Sequence, residues 1–421
     1  MKKYCLLLLL TFVIPVFSQH KVDTLQVVSN NTNNAQSTLT KPYVIYISID
    51  GFRYNYMDEY QANNMKKIAE NGVWAKNGMY PSFPSITFPN HYTLVTGLYP
   101  AHHGIVDNVF YDPQRDQKYI IGTKTNADGS WYGGNPIWSL AEQQGVKAAS
   151  LFWVGSESNA GDNRPSYYYH YHEKFDYKDK ARIIKNWLQL PEEKRPHLIT
   201  VYFPEVDHAG HEFGPDSPET EKAVHYIDSA IQYLTQDLKS LNLPINYILV
   251  SDHGMAKVEG HIQLPKFDKE KYTVIYGSSV SHITAKNKAD ILPLYKQLKY
   301  LHSKDYKVYL ATKMPRKYHY SAREDTLRRI GDIVLLPVGL KTFVNPHSKR
   351  QPPVGMHGYD PHKFSVMKAT FFAWGPAFNE PKIIPSFTNI DVYPLIAKIL
   401  NLNITQPIDG NLKPLKKILK K

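Results

Sequence analysis

Three runs of β-branched and aromatic residues, Tyr43–Ile49, Leu198–Phe203 and Ile245–Val250, each stop at a segment rich in acid and imidazole. Asp50-Gly51 follows the first run, Asp207 and His211 the second, and Ser251-Asp252-His253-Gly254 the third. An uninterrupted apolar run suits a strand covered on both faces, and such strands need helices to cover them. The intervening sequence supplies these. Asn63–Asn71 reads as a helix closed by Gly72, 73–79 as a strand, 219–241 as a long amphipathic helix, 369–373 as a strand and 391–400 as a helix. This alternation predicts an α/β fold with a mostly parallel central sheet and helices on both faces. In such sheets the site lies beyond the carboxyl ends of the strands, where these Asp and His residues fall.

Two stretches fit that grammar poorly. Residues 107–175 and 257–355 are richer in Tyr, Gly and Pro and read as insertions that cap the site within one domain spanning 41–421, the second as a small α+β subdomain. Ahead of the domain, 19–40 is polar and without periodicity, as a flexible leader would be. Residues 1–18 read as an export signal: Met1-Lys2-Lys3 is basic, 4–17 is apolar and Ser18 precedes the polar segment. That run is shorter than the ~20 residues needed to span a bilayer. The reading is an exported chain, periplasmic or secreted after cleavage, with no transmembrane span. Cys5, the one cysteine, lies in the signal, so disulfides, thiolate metal sites and a cysteine nucleophile are excluded from the mature chain. With 42% hydrophobic and 21% charged residues among 421, the chain is neither disordered nor repetitive. The net charge of +12, with Lys413, Lys416, Lys417, Lys420 and Lys421 at the end, suits an anionic partner or a solvated basic face.

The strand ends, with His357 in the segment Gly355-Met356-His357-Gly358, collect three carboxylates and three imidazoles: Asp50, Asp207, Asp252, His211, His253 and His357. This is a ligand inventory for two adjacent divalent ions, best matched by zinc. Asp207 and His211 are four apart, so both side chains can face one ion across a single turn. Taken singly, Asp50-Gly51 is a turn and His357-Gly358 a loop; the conjunction points to metal. A nucleophile candidate stands at Thr87, because Pro89 can open a helix running to Thr96 and an anion is favoured at its N-terminus. A plain helix cap is the alternative reading of Thr87. No GxxxxGK[ST], HExxH or GxSxG pattern occurs, which removes support for P-loop, zincin and serine-hydrolase chemistry.

The run TFPNHYTLVTGLYPAHHGIVDN, 87–108, resembles the nucleophile segment of the nucleotide pyrophosphatase/phosphodiesterase family, within the alkaline phosphatase superfamily. The resemblance continues in order through FWVGSE, EVDHAGH, SDHGM, PRKYHY, RIGDIVLL, GMHGYD and AWGPAF, over nearly all the chain after the leader. It implies an alkaline phosphatase-like fold and two Zn²⁺ per chain. Asp207, His211 and His357 would hold one ion, and Asp50, Asp252 and His253 the other, with Thr87 on the latter. Asn108 would bind a phosphoryl oxygen, and Phe88 with one of Tyr167, Tyr168 or Tyr169 would present rings to a nucleobase. A single amide at Asn108 leaves room for an ester substituent, where an arginine would favour a monoester. The expected substrate is therefore a small nucleotide or other phosphodiester, with no sequence-specific nucleic-acid binding. A choline or glycerol phosphodiester is the alternative within the family, and a phosphomonoester is a weaker one. A sulfatase would need a Cys or Ser followed by Pro and Arg; Thr87-Phe88-Pro89-Asn90 lacks that Arg.

Overall fold

Tyr43–Ile49 is the middle strand of a nine-stranded sheet in the computed structural model, which describes residues 25–301, 304–349 and 351–420. Across the sheet the order is Gln26–Val28, Tyr167–Tyr169, Ala148–Leu151, Leu198–Phe203, Tyr43–Ile49, Ile245–Val250, Phe371–Trp374, Val73–Trp74, Lys382–Ile383. The five strands from Tyr167–Tyr169 to Ile245–Val250 are all parallel. Phe371–Trp374 returns antiparallel to Ile245–Val250, and the first strand is antiparallel to its neighbour. All residues of Tyr43–Ile49 are buried because each alternate set meets a helical layer. Val44 and Tyr46 pack with the helices Thr87–Thr96 and Val392–Ile399 on one face. Ile45 and Ile47 pack with Tyr177–Leu188 and Pro218–Lys239 on the other. Each fully buried aliphatic side chain contributes about 1.5–3 kcal/mol, so the two layers fix the register.

Local signals start the helices where expected. Ser217 accepts from the Thr220 N–H, Pro218 occupies the first turn and Glu219 and Glu221 meet the positive end of the helix. The helix Asn63–Asn71 ends at Gly72.

The polar leader differs from expectation. Gln26–Val28 pairs with Tyr167–Tyr169, and the buried Asn34 donates to the carbonyls of Glu192 and Arg195 at 3.1 and 2.8 Å. A polar segment can be ordered by supplying partners to backbone groups that would otherwise stand alone at a sheet edge. Residues 1–18, expected to be an export signal, lie outside the described residues, among which no helix is long and apolar enough to cross a membrane. The insertion expected over 107–175 is also narrower, since Ala148–Leu151 and Tyr167–Tyr169 belong to the central sheet.

The second insertion folds as a four-stranded antiparallel sheet of Tyr272–Ile275, Ser281–Ala285, Ile333–Pro337 and Tyr306–Leu310, covered by the helix Ile291–Leu301. Its core includes Ile283, Leu294, Leu298, Tyr306 and Leu335. Arg329 ties it to the hairpin Val109–Asp112/Gln117–Ile120. Its guanidinium, buried, meets Asp112 at 2.9 Å and donates to the carbonyls of Gly104 and Trp131.

Candidate active site

Asp50 follows the middle strand, and Asp252 and His253 follow its parallel neighbour, so adjacent strand ends bring these three together without any long loop. Gly51 adopts φ +65° and its missing side chain leaves room for Asp207: a Cβ there would stand 3.0 Å from the Asp207 Cα. Asp207 and His211 lie on one helix, Glu205–Phe213. Gly355 packs against that helix so closely that a Cβ would meet the Gly210 carbonyl at 2.1 Å, which brings His357, two residues on, beside His211. All six expected ligands thus converge. His253 Nε2 lies 2.9 Å from Asp252 and 3.5 Å from Asp50. His211 and His357 lie 3.5 and 3.6 Å from Asp207 oxygens, and the His253 and His357 rings stack at 3.6 Å.

The hydrogen bonds explain what this cluster needs. His253, His211 and His357 each present Nδ1 to a backbone carbonyl, of Gly254, Gly355 and Ser85, at 2.9 Å. With the N–H placed there, the neutral ring keeps Nε2 as its ligating atom. Burial acts downward on the His253 imidazole, but the Asp252 carboxylate beside it outweighs that and pushes its pKa up. The Nε2 atoms of His211 and His357 nevertheless face each other at 3.1 Å. Asp50 Oδ1, Asp207 Oδ1 and Asp252 Oδ2 are buried without a hydrogen-bond partner. Lone pairs converging on lone pairs are repulsive unless cations sit among them, so the donor set fits divalent metal. Asp50, Asp252 and His253 form one three-ligand group, and Asp207, His253 and His357 another.

The charges bear this out. Burial and the neighbouring Asp252 and Asp207 push the Asp50 carboxyl well above its usual range. Burial also acts upward on Asp252, but His253 and His91 outweigh it and hold that carboxyl well below. Burial, with His253 and His211 nearby, holds His357 neutral and able to ligate.

Thr87 opens the helix Thr87–Thr96 and places Oγ1 3.2 Å from His253 Nε2. Nothing caps that helix through a side chain at Ile86, and Thr87 itself makes no capping bond, so its hydroxyl faces the cluster. Asn108 accepts the Phe88 N–H on Oδ1 at 2.9 Å, which turns its NH₂ group away from Phe88. A cleft of about 550 Å³ beside the cluster is lined by Asn108, Lys118, His211, Tyr276, His347 and His357.

The tyrosines fall differently. Tyr167 and Tyr168 are buried within the sheet strand, and the Tyr167 hydroxyl donates to the Lys194 carbonyl, so neither presents a free ring. Period-two side-chain alternation and edge pairing with Gln26–Val28 consume them. Tyr171, past the strand end, is 43% exposed and lies against Tyr202, whose hydroxyl donates to Asp50. Tyr202 was not singled out by the sequence, whereas His91 reads there as a spare histidine that supports structure or ligands. His91 holds Asp252 at 3.3 Å and the Ser48 hydroxyl at 2.8 Å, both from a fully buried ring. A signal for His91 existed: it sits four residues after Thr87, on the same helix face.

A large mixed sheet with helices on both faces and an Asp/His cluster at its carboxyl edge defines an alkaline phosphatase-like α/β protein. Comparison with known proteins narrows that class. A family model described as type I phosphodiesterase / nucleotide pyrophosphatase matches residues 44–360, and the chain belongs to this family. Human ectonucleotide pyrophosphatase/phosphodiesterase family member 1 is 34% identical over 397 residues, 90% of this chain and 42% of that protein. A pyrophosphatase/phosphodiesterase of Schizosaccharomyces pombe is 35% identical over 91% of this chain and 80% of its own length. The chain thus spans under half the length of the human relative. Murine ectonucleotide pyrophosphatase/phosphodiesterase 5 superposes with a TM-score of 0.83 at 30% identity, covering 90% of this chain and all of that one; an inactive form of it has been solved in complex with AMP.

Proposed function

We propose that the chain hydrolyses nucleotide pyrophosphate or phosphodiester bonds, releasing 5′-nucleoside monophosphates, with Thr87 as nucleophile. The observation that carries this reading is the Thr87 hydroxyl, 3.2 Å from Nε2 of His253 at the rim of a cluster of unsatisfied ligands. The ligands are assigned to two Zn²⁺ ions: Asp207, His211 and His357 for one, Asp50, Asp252 and His253 with Thr87 for the other. Bound there, the ions supply Lewis-acid chemistry: ionisation of an alcohol and stabilisation of charge on departing oxygen.

Thr87 Oγ1 gives up its proton and attacks phosphorus in line with the leaving oxygen; the P–O bond to Oγ1 forms as the ester or anhydride bond breaks. Asn108 donates its free NH₂ to a non-bridging phosphoryl oxygen and holds it as charge develops. Water then attacks the phospho-threonine from the opposite side and restores the hydroxyl. Two inversions give net retention. Phe88, half-buried beside Thr87, and Tyr171 in place of Tyr167 or Tyr168 offer rings to a base, a contact worth ~1–3 kcal/mol and indifferent to which base. Lys118 and His347 in the cleft favour an anionic leaving group over a choline head, which supports the nucleotide reading. Export ahead of this activity is the matching location, and the AMP complex of the murine relative accords with the product.

The test is turnover of p-nitrophenyl thymidine 5′-monophosphate against p-nitrophenyl phosphate by metal-loaded wild type and Thr87→Ala. A diester preference lost in the variant is expected. A monoester preference, or turnover that survives without Thr87, rejects the reading.

A further inference from the structure

Away from the ligand cluster, one buried pair of side chains joins the four-stranded subdomain to the loop that carries Asn108. Asp107 precedes Asn108 and is 7% exposed; its Oδ1 accepts the Asn108 backbone N–H at 2.6 Å and its Oδ2 lies 3.1 Å from His282 Nε2. His282 stands on the strand Ser281–Ala285, 2% exposed, with Nδ1 3.1 Å from the Ile330 carbonyl oxygen. Both ring nitrogens therefore face oxygen acceptors. The ring is thus clamped between the Asp107 carboxylate and the Ile330 carbonyl, and a carboxylate this buried needs such a donor. Asp325 adds a second carboxylate nearby, its own Oδ2 taken by the Ile330 N–H. Tyr320 closes the remaining side: its ring lies 6.2 Å from His282 and its hydroxyl donates to the Val106 carbonyl.

The pair thus grips the Asn108 backbone from behind, while the Phe88 N–H grips the Asn108 side chain from the front. Among the described residues no hydrogen bond claims the side-chain NH₂, and Asn108 lines the cleft together with His211 and His357. We propose that His282 and Asp107 are positioning residues for phosphoryl binding: the small subdomain sets, through this buried contact, where Asn108 presents its NH₂. The inference rests on the role given to Asn108 above. A displaced donor costs rate far more than it costs ground-state binding, because it is matched to the charge that develops during transfer.

The experiment is a double-mutant cycle on the metal-loaded enzyme, with kcat and KM for p-nitrophenyl thymidine 5′-monophosphate and the crystal structure of His282→Leu. His282→Leu is expected to lower kcat about 100-fold, the scale of a 1 Å misplacement, with KM little changed. In an Asn108→Ala background the same substitution is expected to do nothing further. His282→Gln, whose amide can donate to Asp107, is expected to recover most of kcat. The structure of His282→Leu is expected to show the Asn108 amide displaced. Effects that multiply in the double mutant, or an Asn108 amide unmoved in the crystal, overturn the proposal. Should His282→Leu not fold, Asp107→Asn replaces it in the cycle, since it keeps an acceptor for the Asn108 N–H and removes the charge. A wild type without diester turnover sinks the catalytic reading instead, and the crystal structure still decides whether His282 positions Asn108.

Discussion

Asp50, Asp252 and His253 stand at the ends of two paired strands in the middle of the sheet, whereas Asp207, His211 and His357 come from a helix and from a loop that returns after the small subdomain. Burial differs chiefly at one ligand, His211, since Asp207 and His357 are buried as well. The side chains of Asp252 and His253 are wholly enclosed, while that of His211 is 30% exposed. The first half is braced further by Tyr202 on Asp50, His91 on Asp252 and the Gly51 N–H on Asp252. The second half is oriented mainly through backbone carbonyls, of Gly355 and Ser85. Ligands locked by packing and outer partners hold a metal more tightly than ligands on a mobile rim. The sheet half is thus the more enclosed of the two, and the helix half is the side that opens to the cleft through His211 and His357.

Four perturbations test this asymmetry, the largest effect first. Thr87→Ala removes the proposed nucleophile beside the sheet half: kcat is expected to fall by about 10⁴-fold or more with metal per chain unchanged, read by steady-state kinetics beside elemental analysis. Retained turnover would place the chemistry elsewhere. Next, Asp252→Ala and His211→Ala separate the halves. The first is expected to cost both metal and melting temperature, because it strips the carboxylate partner that His253 and His91 share in a sealed site; the second is expected to cost metal and leave the metal-free melting temperature unchanged. Equal destabilisation by the two would erase the distinction. Tyr202→Phe comes third, expected to weaken metal in the sheet half by about 10–100-fold, measured by competition with a chelator. In wild type the same chelator should empty the His211 half first.

The smallest effect reverses sign with metal. The Asp50 carboxyl is raised in the folded chain, so its ionisation opposes folding: the penalty is absent below the unfolded value near 3.9 and grows as pH rises through the folded value. Metal-free Asp50→Asn is therefore expected to melt a few degrees higher than metal-free wild type at neutral pH, and lower once both are loaded. Asp252 runs the other way, contributing stability above its unfolded value that is lost as pH falls. Thermal melts of both variants across pH, with and without metal, show whether the cluster is a destabilised seat awaiting cations; an Asp50→Asn chain that melts lower in both states would say it is not.

Legibility in the sequence followed the same division. Tyr43–Ile49, Leu198–Phe203, Ile245–Val250 and Asn63–Asn71 have the bounds read from pattern alone, since continuous apolar runs and a terminal glycine are local signals. The acids and histidines beyond the three strands gave five of the six ligand candidates, and the segment around His357 gave the sixth. Partners that act across the sheet left no such mark: Tyr202 reads as one more aromatic in a strand, and His91 as a spare histidine on a helix. Tyr167 and Tyr168 looked available because sequence shows composition and not edge pairing; the leader that pairs with them looked free for the same reason. The dyad of Asp107 and His282, 175 positions apart, was equally silent.

What the chain determined by itself was therefore the repeated strand with a polar end, because apolar periodicity and turn chemistry are properties of neighbours in sequence. Which nitrogen of each histidine faces the cluster, which tyrosine ring is free and how Asn108 is turned were decided only by the tertiary structure. Those outcomes depend on where carbonyls, carboxylates and rings from distant segments come to rest, and on the cost of leaving any of them buried without a partner.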